Sequence, residues 1–200
     1  FSDIMAGLLV IYILACLALI YQITDTKIQV KDELEALIRA EQVRADILDE
    51  VKNELESKGI FVEIEQDTII IPDALLGFRT GSSKIPFDQH DNARAIGNVL
   101  YQAIAKEGRA AYLDTIFVEG HTDKIPYNID PLGNWGLSAD RAVQLWKFWG
   151  KELDQESQLD RLRNYAQVFL FSVSGYGKNR PRPQGVEALP EKEVLKKNRR

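Results

Sequence analysis

Residues 4–23 constrain this chain more than any other stretch, because they would be apolar on every face of a helix. The run reads IMAGLLVIYILACLALIYQI, carries no charge, and has only Gln22 as a strongly polar residue. About 20 residues rising 1.5 Å each span roughly 30 Å, the thickness of the hydrocarbon core of a bilayer. A cleavable signal peptide would have a shorter apolar region and a small-residue cleavage site after it. The sequence therefore predicts a transmembrane helix over residues 1–23.

Asp3 lies at the membrane boundary of this predicted helix, and two interpretations of it stay open. Ser2 and Asp3 both suit a helix start, where the helix dipole favours an anion, so Asp3 would be a solvated N-cap. In the other interpretation its carboxylate faces a protein interior and binds and releases an ion there. Because Phe1 is not an initiator methionine, we also expect residues upstream of it.

The charge and the reactive side chains exclude several classes of function. The net charge is -5, and residues 24–56 account for it with ten Asp and Glu against five Lys and Arg, which argues against a nucleic-acid partner. Cys16 is the single cysteine, so no disulfide forms within the chain. His90 and His121 lack metal-ligand spacing, and no nucleophile motif is present. We therefore expect neither an enzyme nor a bound cofactor.

Residues 24–59 are predicted to form a helical coiled-coil linker. The stretch is rich in good helix formers and contains no Pro or Gly before Gly59, which ends it. Positions alternately four and three apart are mostly apolar: Ile23, Lys27, Val30, Leu34, Leu37, Glu41, Arg44, Leu48, Val51 and Leu55. Such a heptad seam is typical of a coiled coil and predicts a homodimer. An amphipathic helix that lies on its own domain would show a similar stripe.

Residues 60–200 alternate strand and helix signals, which predicts an α/β sandwich with a mixed sheet. The predicted strands are residues 60–64, 68–72, 115–119 and 168–174, and the first two form a β-hairpin. The predicted helices run from Asp88 or Asp91 to about Lys106, from Ser138 onward, and from Leu189 to Arg200. Residues 74–85 are predicted as a loop, and residues 154–164 as a loop or an extra helical turn.

An acid and a base follow the central predicted strand. Asp123 lies in the loop just past the strand end, where side chains are presented to ligands, and Arg141 is placed in the first turn of the next helix. Held together, the two would bind an ammonium and a carboxylate, the two ends of an amino acid, and Arg can hold the carboxylate bidentately. A structural Asp–Arg pair that ties the loop to the helix explains the spacing equally well.

Four motifs resemble, in order, those of the OmpA-like peptidoglycan-binding domain, over about residues 60–200. They are Gly120-His121-Thr122-Asp123, Leu137-Ser138-x-x-Arg141-Ala142, Gly175-Tyr176-Gly177 and Asn198-Arg199-Arg200. The resemblance implies a site for the diaminopimelate of a cell-wall peptide. Its residues would be Asp123 and Arg141 as the direct ligands, with Thr122, Leu137 and Asn198 around them. Residues 124–133 and 154–164 are longer than in minimal members of the family, so the rim of the site should differ.

The Asn134-Trp135-x-Leu137-Ser138 form of the second motif looks most like the MotB branch of this family. In that branch the domain follows a single membrane helix bearing an aspartate, and Phe1-Ser2-Asp3-x-Met5 resembles the start of that helix. The resemblance implies that Asp3 is the ion-translocating carboxylate of a stator, with a proton or a sodium ion as cargo. It also implies a multi-helix membrane A subunit as partner, and the bacterial inner membrane with the C-terminal domain in the periplasm.

Two kinds of motor fit this resemblance. Flagellar stators usually have a plug and a flexible linker after the membrane helix, whereas this chain has a heptad seam with no Pro/Gly/Ser-rich linker. That arrangement looks more like the membrane subunit of the Zorya anti-phage defence motors. The alternative from another class is a static membrane-anchored tether that binds peptidoglycan and moves no ion.

Overall fold

The chain forms two compact units, which we call the N-terminal unit (Phe1–Gln42) and the C-terminal unit (Val43–Arg200). The computed structural model describes residues 2–129 and 131–180, with side chains in the first helix described from Ile4 onward. Helix α1, Ser2–Ser57, begins in the N-terminal unit and ends in the C-terminal unit. The predicted final helix at residues 189–200 lies outside the described residues.

In the N-terminal unit, α1 carries its apolar side chains on its surface. From Ile4 to Ile23 every side chain is exposed except that of Cys16, which is half-buried. Within the described part of the chain, α1 is the one helix that is long and apolar enough to cross a membrane. A helix that is apolar all round is stable only in apolar surroundings. The structure therefore fits the membrane segment predicted over residues 1–23.

The last part of α1 is built into the core of the C-terminal unit. Its buried side chains are spaced by four residues: Val43, Ile47, Val51 and Leu55. The prediction of a coiled coil is wrong for Val51 and Leu55, because these two residues of the predicted seam pack in the core of the helix's own domain. The alternative of an amphipathic helix lying on its domain is confirmed for residues 43–57. The C-terminal unit thus starts earlier than the boundary predicted at residue 60.

Leu55→Ala should lower the free energy of unfolding of the C-terminal unit by about 2–5 kcal/mol, since it removes a fully buried side chain and leaves a cavity. The matched control is Ile28→Ala, on the same helix but 55% exposed and off the predicted seam, for which we expect less than about 0.5 kcal/mol. Urea unfolding in detergent, followed by tryptophan fluorescence, measures both. Equal effects of the two changes would contradict the packing described for α1.

The described strands form two separate two-stranded sheets instead of the predicted mixed sheet. Strands β1 (Glu63–Glu65) and β2 (Thr68–Ile70) make the predicted antiparallel hairpin. Strands β3 (Ile116–Gly120) and β4 (Phe171–Gly175) pair in parallel, with Val118 opposite Val173. The hairpin strands are only three residues long and pair only with each other. The C-terminal unit is consequently richer in helix than an α/β sandwich.

Three further α-helices lie in the described part of the C-terminal unit. Helix α2 (Asp73–Leu76) is a single turn in the predicted loop, α3 spans His90–Ala105, and α4 spans Gly133–Glu152. Short 3₁₀ segments lie at Phe87–Gln89, Lys106–Tyr112, Gln155–Ser157 and Leu159–Arg161, the last two in the predicted extra turn. The long helix α3 agrees closely with its predicted range.

Helices α3 and α4 pack in direct contact where Gly97 faces Trp149. A β-carbon on Gly97 would lie 2.6 Å from Trp149 Cδ1, so no larger residue fits without a shift of the indole. The Trp149 Nε1 atom donates to the carbonyl of Ala93 over 2.7 Å, which satisfies the buried indole. On the same helix the Trp146 ring stacks on Phe171 of β4 at 5.2 Å. Helix α4 is thereby fixed against both α3 and the parallel sheet.

A cluster of charges links the end of α1 to the segment after α3. Glu50 Oε2 accepts hydrogen bonds from Arg109 Nη1 at 2.7 Å and from Lys106 Nζ at 3.0 Å. The hydrogen bond from Arg109 is the main cause that lowers the pKa of Glu50 below its ordinary value of 4.5, and Lys106 adds to it, while partial burial opposes both. The ionised form of Glu50 is therefore the one that this contact stabilises.

Glu50→Gln should destabilise the protein at neutral pH by about 0.5–1 kcal/mol, a value kept small because the Glu50 side chain is 34% exposed. A carboxyl group whose pKa is lowered by folding stabilises the protein at pH values above its pKa in the unfolded state. This stabilisation is lost as the pH falls through the pKa in the folded state. The difference between variant and wild type should therefore shrink below pH 4.5. Unfolding curves across pH test this, and in an Arg109→Gln background the effect should largely disappear.

Candidate functional site

The ends of the two parallel strands contact α4 directly in its second turn. A β-carbon on Gly120, the last residue of β3, would overlap the carbonyl oxygen of Ser138. A β-carbon on Gly175, the last residue of β4, would overlap the backbone nitrogen of Ala139. Only glycine permits backbones to approach this closely. The two glycines therefore bring the loops that follow both strands onto the helix that carries Arg141.

The loops after β3 and β4 remain hydrogen-bonded to each other past the strand ends. Tyr176 N donates to the carbonyl of Gly120, and Thr122 N donates to the carbonyl of Gly177, both at 3.0 Å. Gly177 N in turn donates to the Ser138 hydroxyl at 2.8 Å. The backbone around the two predicted motifs is thus fixed by a continuous set of hydrogen bonds before any ligand is considered.

Ser138 has a different role from the predicted one. Helix α4 begins at Gly133, so Ser138 does not start it, and Arg141 lies in the third turn instead of the first. The Ser138 side chain is fully buried, and its hydroxyl donates to the carbonyl of Trp135 at 2.9 Å while accepting from Gly177. A serine before an apolar run resembles an N-cap in sequence, but here its hydroxyl joins the helix to the loop after β4.

The structure brings four of the predicted site residues into this region. They are all buried, with exposures of 5% for Thr122, 7% for Asp123, 8% for Leu137 and 4% for Arg141. Asp123 lies past the end of β3 as predicted, and its Oδ1 accepts a hydrogen bond from Ile125 N at 2.9 Å. Asn198 lies outside the described residues. Asp3 lies in the first turn of α1 in the N-terminal unit, and its side chain is outside the described part.

The hydroxyl of Thr122 is buried without a hydrogen-bond partner among residues 2–129 and 131–180. Leaving a buried hydroxyl unsatisfied costs free energy, so such an atom in a folded protein calls for an explanation. Thr122 directly precedes Asp123 on the same loop. The threonine hydroxyl is therefore a polar group that a ligand reaching Asp123 would be able to satisfy.

Arg141 is held by a loop that the sequence did not connect with it. Its Nε donates to the carbonyl of Ser82 at 3.0 Å and its Nη2 to the carbonyl of Arg79 at 3.2 Å. The guanidinium carbon lies 5.1 Å from the centre of the Phe78 ring. The neighbouring Ser83 hydroxyl also donates to Asp140 Oδ2 on α4. The guanidinium is thus held in a fixed plane, which suits recognition of a flat carboxylate.

The remaining motif residues support the loops. The ring of His121 stacks on Tyr176 at 5.5 Å with an interplanar angle of 22°, and its Nε2 lies 3.7 Å from Glu119 Oε2. The guanidinium of Arg180 lies 3.9 Å from the centre of the Tyr176 ring. His121 therefore serves in the described structure to join the loops after β3 and β4. Across the described ranges, no group of three or more His, Cys, Asp or Glu side chains could hold a metal ion.

Comparison with known proteins gives structural neighbours only. No protein-family model matches the chain, and no curated protein matches it. The chain is similar to the cell wall anchor of the T6SS from Pseudomonas aeruginosa, with a TM-score of 0.47 and 18% identity over 76% of this chain and 91% of that one. It is also similar to the periplasmic domain of Helicobacter pylori MotB, with a TM-score of 0.42 and 23% identity over 64% of this chain and 68% of that one.

Another structure of the periplasmic domain of MotB matches with a TM-score of 0.42 and 22% identity, over 64% of this chain. The chain spans 57% of that structure's own length. All of these identities are below 25% and all of these TM-scores are below 0.5, so the similarity to these neighbours shows nothing about function.

Proposed function

We propose that the C-terminal unit binds peptidoglycan through the diamino acid of its stem peptide. The observation that carries this proposal is the burial of an acid, Asp123, and a base, Arg141, in segments that meet where β3 ends on α4. A buried acid and a buried base beside the Thr122 hydroxyl, which has no hydrogen-bond partner among the described residues, favour a binding site.

The free end of diaminopimelate offers the groups that such a site would take. Its ammonium is matched by the Asp123 carboxylate and its carboxylate by the Arg141 guanidinium, each through charge-assisted hydrogen bonds. Thr122 and Leu137 would line the remaining surface, and Asn198 would contribute if it lies beside them. This function needs no cofactor and no catalytic residue, so we propose a binding protein and not an enzyme.

We further propose that the chain is the B subunit of an ion-driven motor in the bacterial inner membrane, with the C-terminal unit in the periplasm. The exposed apolar helix from Ile4 to Ile23 supports a membrane location, and Asp3 at its start is the carboxylate that would carry a proton or a sodium ion. One helix cannot form an ion path, so a multi-helix A subunit would surround two copies. The motor would serve Zorya-type phage defence or flagellar rotation.

The binding proposal is tested by co-sedimentation of the full-length protein in detergent with purified sacculi. We expect retention on sacculi that contain diaminopimelate and weaker retention on sacculi with lysine at that position. Lysine lacks the second carboxylate that Arg141 would hold, while the sugar chains are the same. Equal binding to both materials would contradict the assignment of Arg141, and binding to neither would end the proposal of a wall-binding domain.

Dimerisation through the predicted seam stays a prediction. The exposure of the seam residues shows where cysteines should be placed to test it. Leu34 and Leu37 lie on the predicted seam in the N-terminal unit and are 54% and 64% exposed, whereas Leu48 belongs to the C-terminal unit. In a Cys16→Ser background, cysteines at Leu34 and Leu37 should cross-link between chains, and a cysteine at Asp32 on the opposite face should not. Cross-linking at Asp32 alone would show a different register.

A further inference from the structure

The side-chain amide of Asn134 lies at the centre of the loop that carries Asp123. Its Nδ2 donates to two carbonyls, those of Asp123 and Ile125, each at 3.0 Å. Its Oδ1 accepts from Tyr127 N at 2.8 Å. A primary amide has two N–H donors and one carbonyl acceptor, and all of these functions are matched here by backbone groups of one loop.

These contacts fix the backbone on both sides of the Asp123 side chain. Asn134 holds the backbone carbonyl of Asp123 directly. It also holds the backbone carbonyl of Ile125, and the backbone N–H of Ile125 donates to the Asp123 carboxylate. The direction in which the Asp123 carboxylate points therefore depends on an amide that lies eleven positions further along the chain.

Asn134 also belongs to the helix that carries the base. It is the second residue of α4, and Arg141 lies on the same rigid helix. A single side chain thus couples the loop of the acid to the helix of the base. Small errors in the placement of a charged group weaken a two-point interaction strongly, because both contacts must be made at once.

We propose that Asn134 is the positioning residue that sets Asp123 relative to Arg141, so that the site selects ligands bearing both an ammonium and a carboxylate. This inference rests on the proposed peptidoglycan binding. Without Asn134 the guanidinium would still bind a carboxylate, because Phe78 and the carbonyls of Arg79 and Ser82 hold it separately. The ammonium would lose its fixed partner, so affinity would fall less than selectivity.

The test combines a protein variant with a ligand variant. The probe is a soluble disaccharide tetrapeptide whose diaminopimelate carries the free amine, and the same molecule after N-acetylation, which removes the positive charge. For the wild type, acetylation should weaken binding about tenfold to a hundredfold, as expected when a charged hydrogen-bonded group is lost. For Asn134→Asp, which keeps the acceptor but has no N–H donors, acetylation should weaken binding less than about threefold.

Gln102→Glu is the matched control, since it makes the same amide-to-carboxylate change at an exposed position on another helix, α3. This variant should keep the full wild-type ratio. The ratio of the two affinities is measured by calorimetry below the unfolding midpoint of each variant, so that a loss of stability alone does not change it. A ratio in Asn134→Asp equal to that of the wild type would overturn the proposal.

If Asn134→Asp does not fold, Asn134→Ser is measured in the same way, because serine keeps a small donor at this position. If neither variant folds, Asn134 is a structural residue of the domain and the positioning role is rejected. Failure of the underlying function is separate from these outcomes, since in that case the wild type itself would bind neither form of the tetrapeptide.

Discussion

Replacing either Asp123 or Arg141 by alanine should abolish retention of the protein on sacculi. Truncating one partner of a buried, hydrogen-bonded charge interaction costs about 2–5 kcal/mol, which corresponds to a loss of affinity of roughly 1.5 to 3.5 orders of magnitude. Both side chains are more than nine-tenths buried, so water cannot replace the missing group easily. The measurement is a binding curve on purified sacculi, with the unfolding midpoint of each variant determined in parallel.

Suitable controls separate lost binding from lost folding. Arg141→Lys keeps the charge but has no planar guanidinium, and we expect an intermediate loss of binding. Lys147→Ala on the same helix and Asp160→Ala, both at exposed positions, remove charges far from the loop contacts and should bind like the wild type. Full binding by Asp123→Ala or Arg141→Ala, with the protein folded, would rule out this site.

Asp3→Asn should abolish motor-dependent function while leaving membrane insertion and sacculus binding intact. A charged carboxylate costs about 2.5–3.5 kcal/mol at the centre of a membrane helix on insertion scales, and less near the interface. A bound cation or proton offsets this charge, so such a carboxylate can load an ion on one side of the membrane and unload it on the other. Asparagine keeps the shape and removes the titration.

The assay is phage protection or motility, whichever the neighbouring genes indicate, with expression and sacculus binding measured beside it. Asp3→Glu should retain partial function if the cargo is a proton. Asp25→Asn, just past the other end of the apolar run, serves as the control and should be active. A fully active Asp3→Asn variant would leave the static peptidoglycan tether as the function of the chain.

The strongly periodic parts of the chain could be predicted from sequence, because local patterns determine them. The apolar run over residues 4–23, helix α3 and the β1–β2 hairpin follow from residue spacing alone. The position of Asp123 past a strand end followed in the same way. The start of α4 at Gly133 could not be predicted, because glycine is a poor helix former and Ser138 resembles an N-cap.

Contacts between distant segments could not be predicted from spacing. A stripe with spacings of three and four fits both a coiled coil and a helix on its own domain, and only the packing of Val51 and Leu55 separates the two. The carbonyls that hold Arg141 come from a loop about 60 positions earlier, where no local pattern marks them. Asn134 was visible as part of a motif, but its role depends on the shape of the loop that surrounds it.

The close approach of Gly120 and Gly175 to α4 has a consequence for how this site can vary among mutants. Any side chain at either glycine would displace the Ser138–Ala139 backbone, and with it the helix that carries Arg141. In a saturation library, substitutions should therefore be tolerated least at Gly120 and Gly175, although neither is among the proposed ligand-binding residues. Exposed rim positions such as Ile129 and Leu132, which are 82% and 70% exposed, should accept most residues. A selection for wall binding should thus exclude substitutions at Gly120 and Gly175 as strictly as substitutions at Asp123 and Arg141.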